Sequence, residues 1–268
     1  MDRRRWAPLA AKVSEVTLAF WVVKVLTTGM GEAASDYLAA TNLVLGGVVG
    51  VGGLLLALGL QLRAPRYSVP KYWFAVSMVA VFGTIAVDVL HKIVGLSYAV
   101  TSTVYAVAVS FLLWFRTEGT LSVHGITTTR RELFYWATVL SSFALGTAVG
   151  DLVGRTLHLG FLSAGLLFAA LIVVPLVAWR LGANAVLAFW SANVLTRPLG
   201  ASFADWIGKA PRIGEGLGFG DGRISLVLIA LIVLAVSGLA RRGTDGQRLP
   251  SAPDPLPDAT APLPSHRS

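Results

Sequence analysis

Apolar runs dominate this chain, and polar residues punctuate them at regular intervals. Eight stretches rich in Leu, Val, Ala, Ile, Phe and Gly occupy residues 15–38, 42–62, 71–91, 97–115, 132–152, 161–179, 184–207 and 224–240. About 20 apolar residues carry a helix across a bilayer core, so each run predicts a membrane-spanning helix. The runs are of two kinds. Those at 42–62, 97–115 and 224–240 hold no charged side chain, whereas 15–38 and 184–207 contain Lys24, Glu32, Asp36, Arg197 and Asp205. The expected fold is all-α: a polytopic membrane protein with eight transmembrane helices, its surroundings a lipid bilayer. Composition agrees, because 55% of the residues are hydrophobic and 13% charged. That is about half the charge of a soluble domain.

The odd-numbered runs share an internal repeat. Trp21, Gly31 and Asp36 recur at the same spacing as Trp73, Gly83 and Asp88, as Trp136, Gly146 and Asp151, and as Trp190, Gly200 and Asp205. Each such helix is followed by a plain apolar one that ends on a basic residue: Arg63, Arg116, Arg180 or Arg241. A two-helix unit returns the chain to its starting side, so all copies enter the membrane in the same direction, related by an axis along its normal. The expected organisation is an N-terminal segment 1–11, repeat 1 at 12–63, repeat 2 at 70–116, a connector 117–131, repeat 3 at 132–181 and repeat 4 at 184–242. Repeat 4 includes a Gly-rich outer loop, 206–223, read as a flexible lid or re-entrant edge. The tail 243–268, rich in Pro, Asp, Ser and Ala, is expected to be disordered.

These repeats resemble a bacterial membrane-anchored protein family built from four tandem DUF347 repeats, a family named for its unknown function. The resemblance rests on Glu15-Val-Thr-Leu-Ala-Phe-Trp21 running into Gly31-Glu32, on Phe134-Tyr135-Trp136 running into Gly150-Asp151, and on Ala204-Asp205-Trp206. It implies the four-repeat fold and a bacterial inner-membrane location, and it implies no activity.

Charge placement sets the expected topology. Arg3, Arg4, Arg5, Lys12, Arg63, Arg66, Lys71, Arg116, Arg130, Arg131, Arg180, Arg241 and Arg242 fall on the side of the termini, against Lys92, Arg155, Lys209, Arg212 and Arg223 opposite. Both termini are therefore expected in the cytoplasm. The net charge of +8 is thereby a topology signal, and nucleic acid is not an expected partner. The apolar run after Arg3–Arg5 carries Glu15 and Lys24 and lacks a small-residue cleavage site, so it reads as a retained helix rather than a signal peptide. Cysteine is absent, which excludes disulfides and thiolate sites.

Candidate chemistry lies along one helical stripe. At about 100° per residue, Trp and the positions seven, eleven and fifteen residues on fall within about 80°. In repeat 1 the stripe reads Trp21, Thr28, Glu32, Asp36, with Lys24 at its edge; in repeat 4 it reads Trp190, Arg197, Ala201, Asp205, with Asn193 at its edge. Repeats 2 and 3 place Ala80 and Thr84, or Phe143 and Thr147, between Trp and Asp. The recurring Gly31, Gly83, Gly146 and Gly200 allow close helix approach. A structural reading of the aspartates is available, since Asp88–Lys92, Asp151–Arg155 and Asp205–Lys209 are four apart, while Asp36 faces Ala40.

Lys24, Glu32 and Arg197 lie within spans, where a charge costs about 2.5–3.5 kcal/mol and belongs on the bundle interior. A Glu32–Arg197 ion pair is expected to lock the helices or to gate a path. Pro198 is expected to kink or break its helix. Glu32, Asp36, Asp88 and His91 are candidate ligands for a hard divalent ion, with His158 a further nitrogen at the outer mouth. No nucleophile or metallohydrolase motif is present, so an enzyme is not expected, nor a cofactor. The expected function is transport of a small cation, a divalent metal included, along a path formed by Lys24, Thr28, Glu32, Asp36, Asp88, Asp151, Asn193, Arg197 and Asp205. The alternatives are a non-transporting scaffold, sensor or accessory subunit, or a carrier of a small organic or anionic solute. An oligomer is compatible with either.

Overall fold

The structure, a computed structural model, describes residues 13–114, 129–211 and 216–242. The expected N-terminal segment, most of the connector and the tail lie outside the described residues. Everything regular among the described residues is helical: α1 (Leu18–Thr41), α2 (Leu43–Leu62), α3 (Val69–Asp88), α4 (Tyr98–Trp114), α5 (Thr129–Asp151), α6 (Phe161–Leu171), α7 (Val173–Arg180), α8 (Ala185–Gly208) and α9 (Asp221–Arg242). Residues α6 and α7 form one rod, Phe161–Arg180, counted as a single span by length and hydropathy.

Local chemistry sets the ends. The Thr17 hydroxyl accepts from Phe20 N–H and starts α1. Asn42 closes α1 through its own N–H and opens α2 by accepting from Leu45 N–H, so one residue turns the chain between them. Asn184 caps α8 by accepting from the N–H groups of Val186 and Leu187. These residues satisfy donors that a helix start leaves bare. Helices α3 and α5 each run on into one π-helical turn, Val89–Ile93 and Leu152–Thr156, directly after the repeated aspartate. α8 stays helical through Pro198 instead of breaking. The Val194 carbonyl, which proline leaves without its usual donor, faces the position where a Cβ on Gly146 would stand, 2.9 Å away.

Among the described residues, five helices are long and apolar enough to cross a membrane: Leu43–Leu62, Val69–Ile93, Thr129–Thr156, Phe161–Arg180 and Asp221–Arg241. The helices α1 and α8 have the length, at 24 residues each, but carry buried charges. α4 contributes a shorter apolar stretch, Tyr98–Ser110.

The four helices that carry the repeat tryptophans, α1, α3, α5 and α8, close into a ring. α1 packs on α3, α3 on α5, α5 on α8, and α8 back on α1. The remaining helices form an outer shell: α2 packs on α3, α4 on α5, α6 and α7 on α8, and α9 on α1. Each outer helix therefore leans chiefly on the inner helix of the following repeat, and α9 completes the cycle on the first. Outward-facing Val44, Leu55, Leu56, Val174, Leu226 and Leu234 are largely exposed, a surface suited to lipid and not to water.

Repeated glycines explain the close inner ring. A Cβ on Gly31 would stand 2.5 Å from that of Ala80, and one on Gly146 would stand 2.5 Å from that of Arg197. A Cβ on Gly83 would lie 3.3 Å from that of Phe143, and one on Gly200 would collide with the Thr28 hydroxyl. In every case the glycine of one repeat meets the residue seven after Trp in the next, and the fourth repeat meets the first. Side chains at this position would hold the inner helices apart.

Candidate functional site

The axis of the inner ring is layered. At one end lies an aromatic belt made of each repeat Trp and the aromatic residue before it. Phe20 packs on Trp73 at 5.5 Å between ring centroids, Tyr72 on Trp136 at 5.7 Å, Tyr135 on Trp190 at 6.0 Å, and Phe189 on Trp21 at 5.8 Å. The last contact closes the belt. Tyr72 and Tyr135 join their hydroxyls at 2.6 Å. The indole N–H groups of Trp73, Trp136 and Trp190 are buried and meet no hydrogen-bond acceptor among the described residues.

Beyond the belt, Lys24 lies buried with its ammonium 3.7 Å from the centre of the Phe143 ring. At the same level Asn193 donates its side-chain amide to Ser142 Oγ at 2.9 Å. One step further, the Arg197 guanidinium occupies the axis, with no exposed surface. It donates to the Thr28 carbonyl and to Glu32 Oε2 (3.1 Å) on α1, to the Thr84 hydroxyl on α3, and to the Thr147 hydroxyl (3.0 Å) on α5. Thr84 in turn donates to Glu32 Oε2 at 3.2 Å. One side chain of repeat 4 is thereby bonded to each of the other three repeats. The expected Glu32–Arg197 pair is present, and it is wholly buried.

The far end of the axis is acidic. Asp36, Asp88, Asp151 and Asp205 are all buried, and the last three have a basic residue four positions on. Lys92 pairs with Asp88 at 2.8 Å; Arg155 pairs with Asp151 at 3.1 Å and with Asp205 at 3.4 Å. Lys209 pairs with Asp36 and, at 2.8 Å, with Asp221. Ala40 gives repeat 1 no base of its own, and Lys209 fills that place from repeat 4. Lys209 lies beyond the end of α8 and is held above the ordinary lysine range: burial opposes its charge, and Asp36, Asp205 and Asp221 outweigh that penalty.

Three carboxylates converge between the Arg197 layer and this rim. Glu32, Asp151 and Asp205 each present an oxygen within 4.8 Å of the others. Together with Thr147, Ser202 and Phe161 they line a small cavity of about 10 Å³, room for a single water-sized sphere. Asp205 Oδ1 is buried and accepts no hydrogen bond among the described residues, with the Lys209 ammonium 3.9 Å away. Oxygen ligands at about 2.1–2.5 Å from an ion stand up to roughly 5 Å apart, so the trio matches a hard cation held by carboxylate and hydroxyl oxygens.

The expected ligands are thus distributed differently from the sequence reading. Glu32 belongs to the group, with Asp151 and Asp205 in place of Asp36 and Asp88. Asp36 is turned to Lys209 and Asp88 to Lys92. His91 stacks on Tyr98 at 3.8 Å, its Nδ1 2.8 Å from the Leu96 carbonyl, and His158 is exposed on the left-handed turn after α5. Of the other expected path residues, Arg197 bonds the Thr28 carbonyl, Asn193 bonds Ser142 on α5, and Lys24 lies against Phe143. The loop after α8 also departs from a flexible lid. Its described part, 216–220, folds back on the helix end, where Leu217, Gly218, Phe219 and Gly220 donate to the carbonyls of Trp206, Lys209, Ile207 and Gly208. Positive φ at Gly218 and Gly220 permits that return; residues 212–215 lie outside the described residues.

Sequence reasoning passed over the aromatic residue before each Trp and the roles of Thr84 and Thr147. The first was available as a recurrence at constant spacing: Phe20, Tyr72, Tyr135 and Phe189. The threonines carry no pattern that separates them from ordinary helix residues.

No curated protein and no solved structure matches the chain. Four tandem matches to the Repeat of Unknown Function (DUF347) cover residues 19–67, 71–120, 134–182 and 188–244. They coincide with the four helix pairs of the ring, and the chain belongs to the DUF347 repeat family.

Proposed function

We propose that this protein is a membrane transporter of a small cation, with the Glu32–Asp151–Asp205 cluster as its binding site. Eight crossings, both termini cytoplasmic and a bacterial inner membrane complete the reading, from the positive-inside bias and the apolar runs. The observation that carries it is three buried carboxylates from three repeats sharing one cavity. A purely structural bundle has no need to bring like charges together in a low-dielectric interior, where they repel strongly.

Two tethered cations offset part of the cluster's charge in this state. Arg197 holds Glu32 from the inner side, and Arg155 bridges Asp151 and Asp205 from the outer side. They differ in freedom. Arg197 is sealed, whereas the Arg155 side chain is 30% exposed and sits on the π-helical turn. Arg155 is the counter-charge that an entering ion displaces, and Arg197 with the aromatic belt closes the path behind it. Hard divalent ions such as manganese or magnesium suit an all-oxygen site free of thiolates.

The test is uptake of a panel of divalent and monovalent cations into proteoliposomes. Wild type is compared with Glu32→Gln and Asp151→Asn, with folding verified in the same vesicles. Uptake of one ion, lost in both variants, supports the reading; no ion moved by folded wild type sinks it. That outcome favours a scaffold in which the charges only lock the repeats together, a reading supported by the ion pairing of every repeated aspartate.

A further inference from the structure

The aromatic end of the axis carries polar groups for which cation transport has no use. The Lys24 ammonium is buried, and among the described residues no carboxylate pairs with it; its neighbour is the Phe143 face at 3.7 Å. The next charges along the axis, Arg197 and Glu32, are paired with each other. Lys24 is therefore a basic group with no acidic partner among the described residues. Nearby in the layering stand three further donors, the indole N–H groups of Trp73, Trp136 and Trp190, each buried without an acceptor. Buried indole N–H groups ordinarily find a partner, and a buried ammonium ordinarily finds a counter-charge.

These four groups come one from each inner helix. α1 supplies Lys24, and it is also the helix whose own tryptophan, Trp21, is only partly buried. Each Trp lies within about 20° of the position seven residues on. In repeat 4 that position is Arg197, which reaches all the other inner helices, so this face looks down the axis. Lys24 is one helical turn from the Trp level, about 4.5 Å along the helix. The Tyr72 and Tyr135 hydroxyls are bonded to each other, and the Asn193 amide donates to Ser142.

We infer that the aromatic end of the axis is a binding site for a small monovalent anion of the chloride class, held by the Lys24 ammonium and the indole N–H groups of Trp73, Trp136 and Trp190. All four groups are donors and none is an acceptor, so hydrogen-bond polarity and charge both select an anion and reject a cation. The surrounding rings add to this, because the edge of an aromatic ring is its positive part. The site stands whether or not a cation crosses the membrane at the carboxylate cluster, and its test reads no flux.

The full-length chain in detergent is titrated with sodium chloride against sodium gluconate at constant ionic strength, following thermal stability and tryptophan emission. Chloride is expected to raise the melting temperature with saturation and to change the emission, gluconate to do neither. Lys24→Met is expected to abolish both responses, and Lys24→Arg to retain them. Trp136→Phe, which keeps a ring and removes one N–H, raises the chloride concentration for half-effect about fivefold. Should Lys24→Met fail to fold, the Trp136→Phe titration decides the matter alone. Identical chloride and gluconate curves in wild type, or an unchanged half-effect in Trp136→Phe, overturn the inference.

Discussion

The two ends of the axis are built from the same repeat and have opposite character. At the aromatic end the four repeats are nearly equivalent: each Trp receives the aromatic residue of the repeat before it, and the cycle closes at Phe189 and Trp21. At the carboxylate end the aspartates recur, but their partners do not. Lys92 serves one aspartate, Arg155 serves two, and Lys209 replaces the base that Ala40 lacks. Packing tolerates fourfold sameness because identical surfaces fit one another around a ring. Charge does not, because like groups on an axis repel. The middle layer shows the consequence: one Arg and one Glu stand where four identical residues would be untenable, and threonines complete the shell.

Breaking the middle layer is expected to have the largest effect. Arg197→Met leaves Glu32 uncompensated beside Asp151 and Asp205, a loss of about 3–5 kcal/mol for a broken buried pair. Adding Glu32→Gln to it restores most of that loss, and denaturant titration in mixed micelles measures both. If the single variant is as stable as wild type, the Arg197 plug is not what holds the four repeats together.

The glycine contacts come next and separate one interface from another. Gly146→Ala drives a Cβ to 2.5 Å from that of Arg197 and 2.9 Å from the Val194 carbonyl, whereas Gly83→Ala meets Phe143 Cβ at 3.3 Å. Overpacking of the first kind costs about 1–3 kcal/mol. The melting temperature of Gly146→Ala should fall well below that of Gly83→Ala, and equal values would refute the ring geometry at α5 and α8.

The smallest effects compare the two ends directly. Phe189→Leu removes the contact that closes the aromatic belt and should cost about 0.5–1.5 kcal/mol. Lys92→Gln removes an i,i+4 pair whose lysine side chain is half exposed, and should cost no more than about 0.5 kcal/mol. Thermal unfolding followed by gel filtration ranks them, and a larger loss in Lys92→Gln would reverse the assignment of strength to the two ends.

Much of the site was legible along the chain. Lys24, Glu32 and Arg197 are conspicuous because a charge in an apolar run demands an interior partner; that demand allows Glu32 either base, and the fold gives it Arg197 and leaves Lys24 against Phe143. The i,i+4 partners of Asp88, Asp151 and Asp205 were legible because a helix fixes which residues share a face. Asp36 was not: its partner Lys209 lies at the other end of the sequence and arrives only when the ring closes. The same holds for the carboxylate trio, since no spacing indicates that Glu32 meets Asp151 and Asp205 and leaves Asp36 at the rim.

The sequence by itself determined the apolar helices, the repeat register and the stripe on which the polar groups stand. These depend on periodicity within one helix, where 3.6 residues per turn relate position to direction. Only the tertiary structure decided that four repeats form a closed ring, that each outer helix leans on the next repeat, and that Arg197 plugs the axis. Those outcomes depend on contacts between helices far apart in the chain, set by which glycine admits which neighbour, and no local pattern encodes that choice.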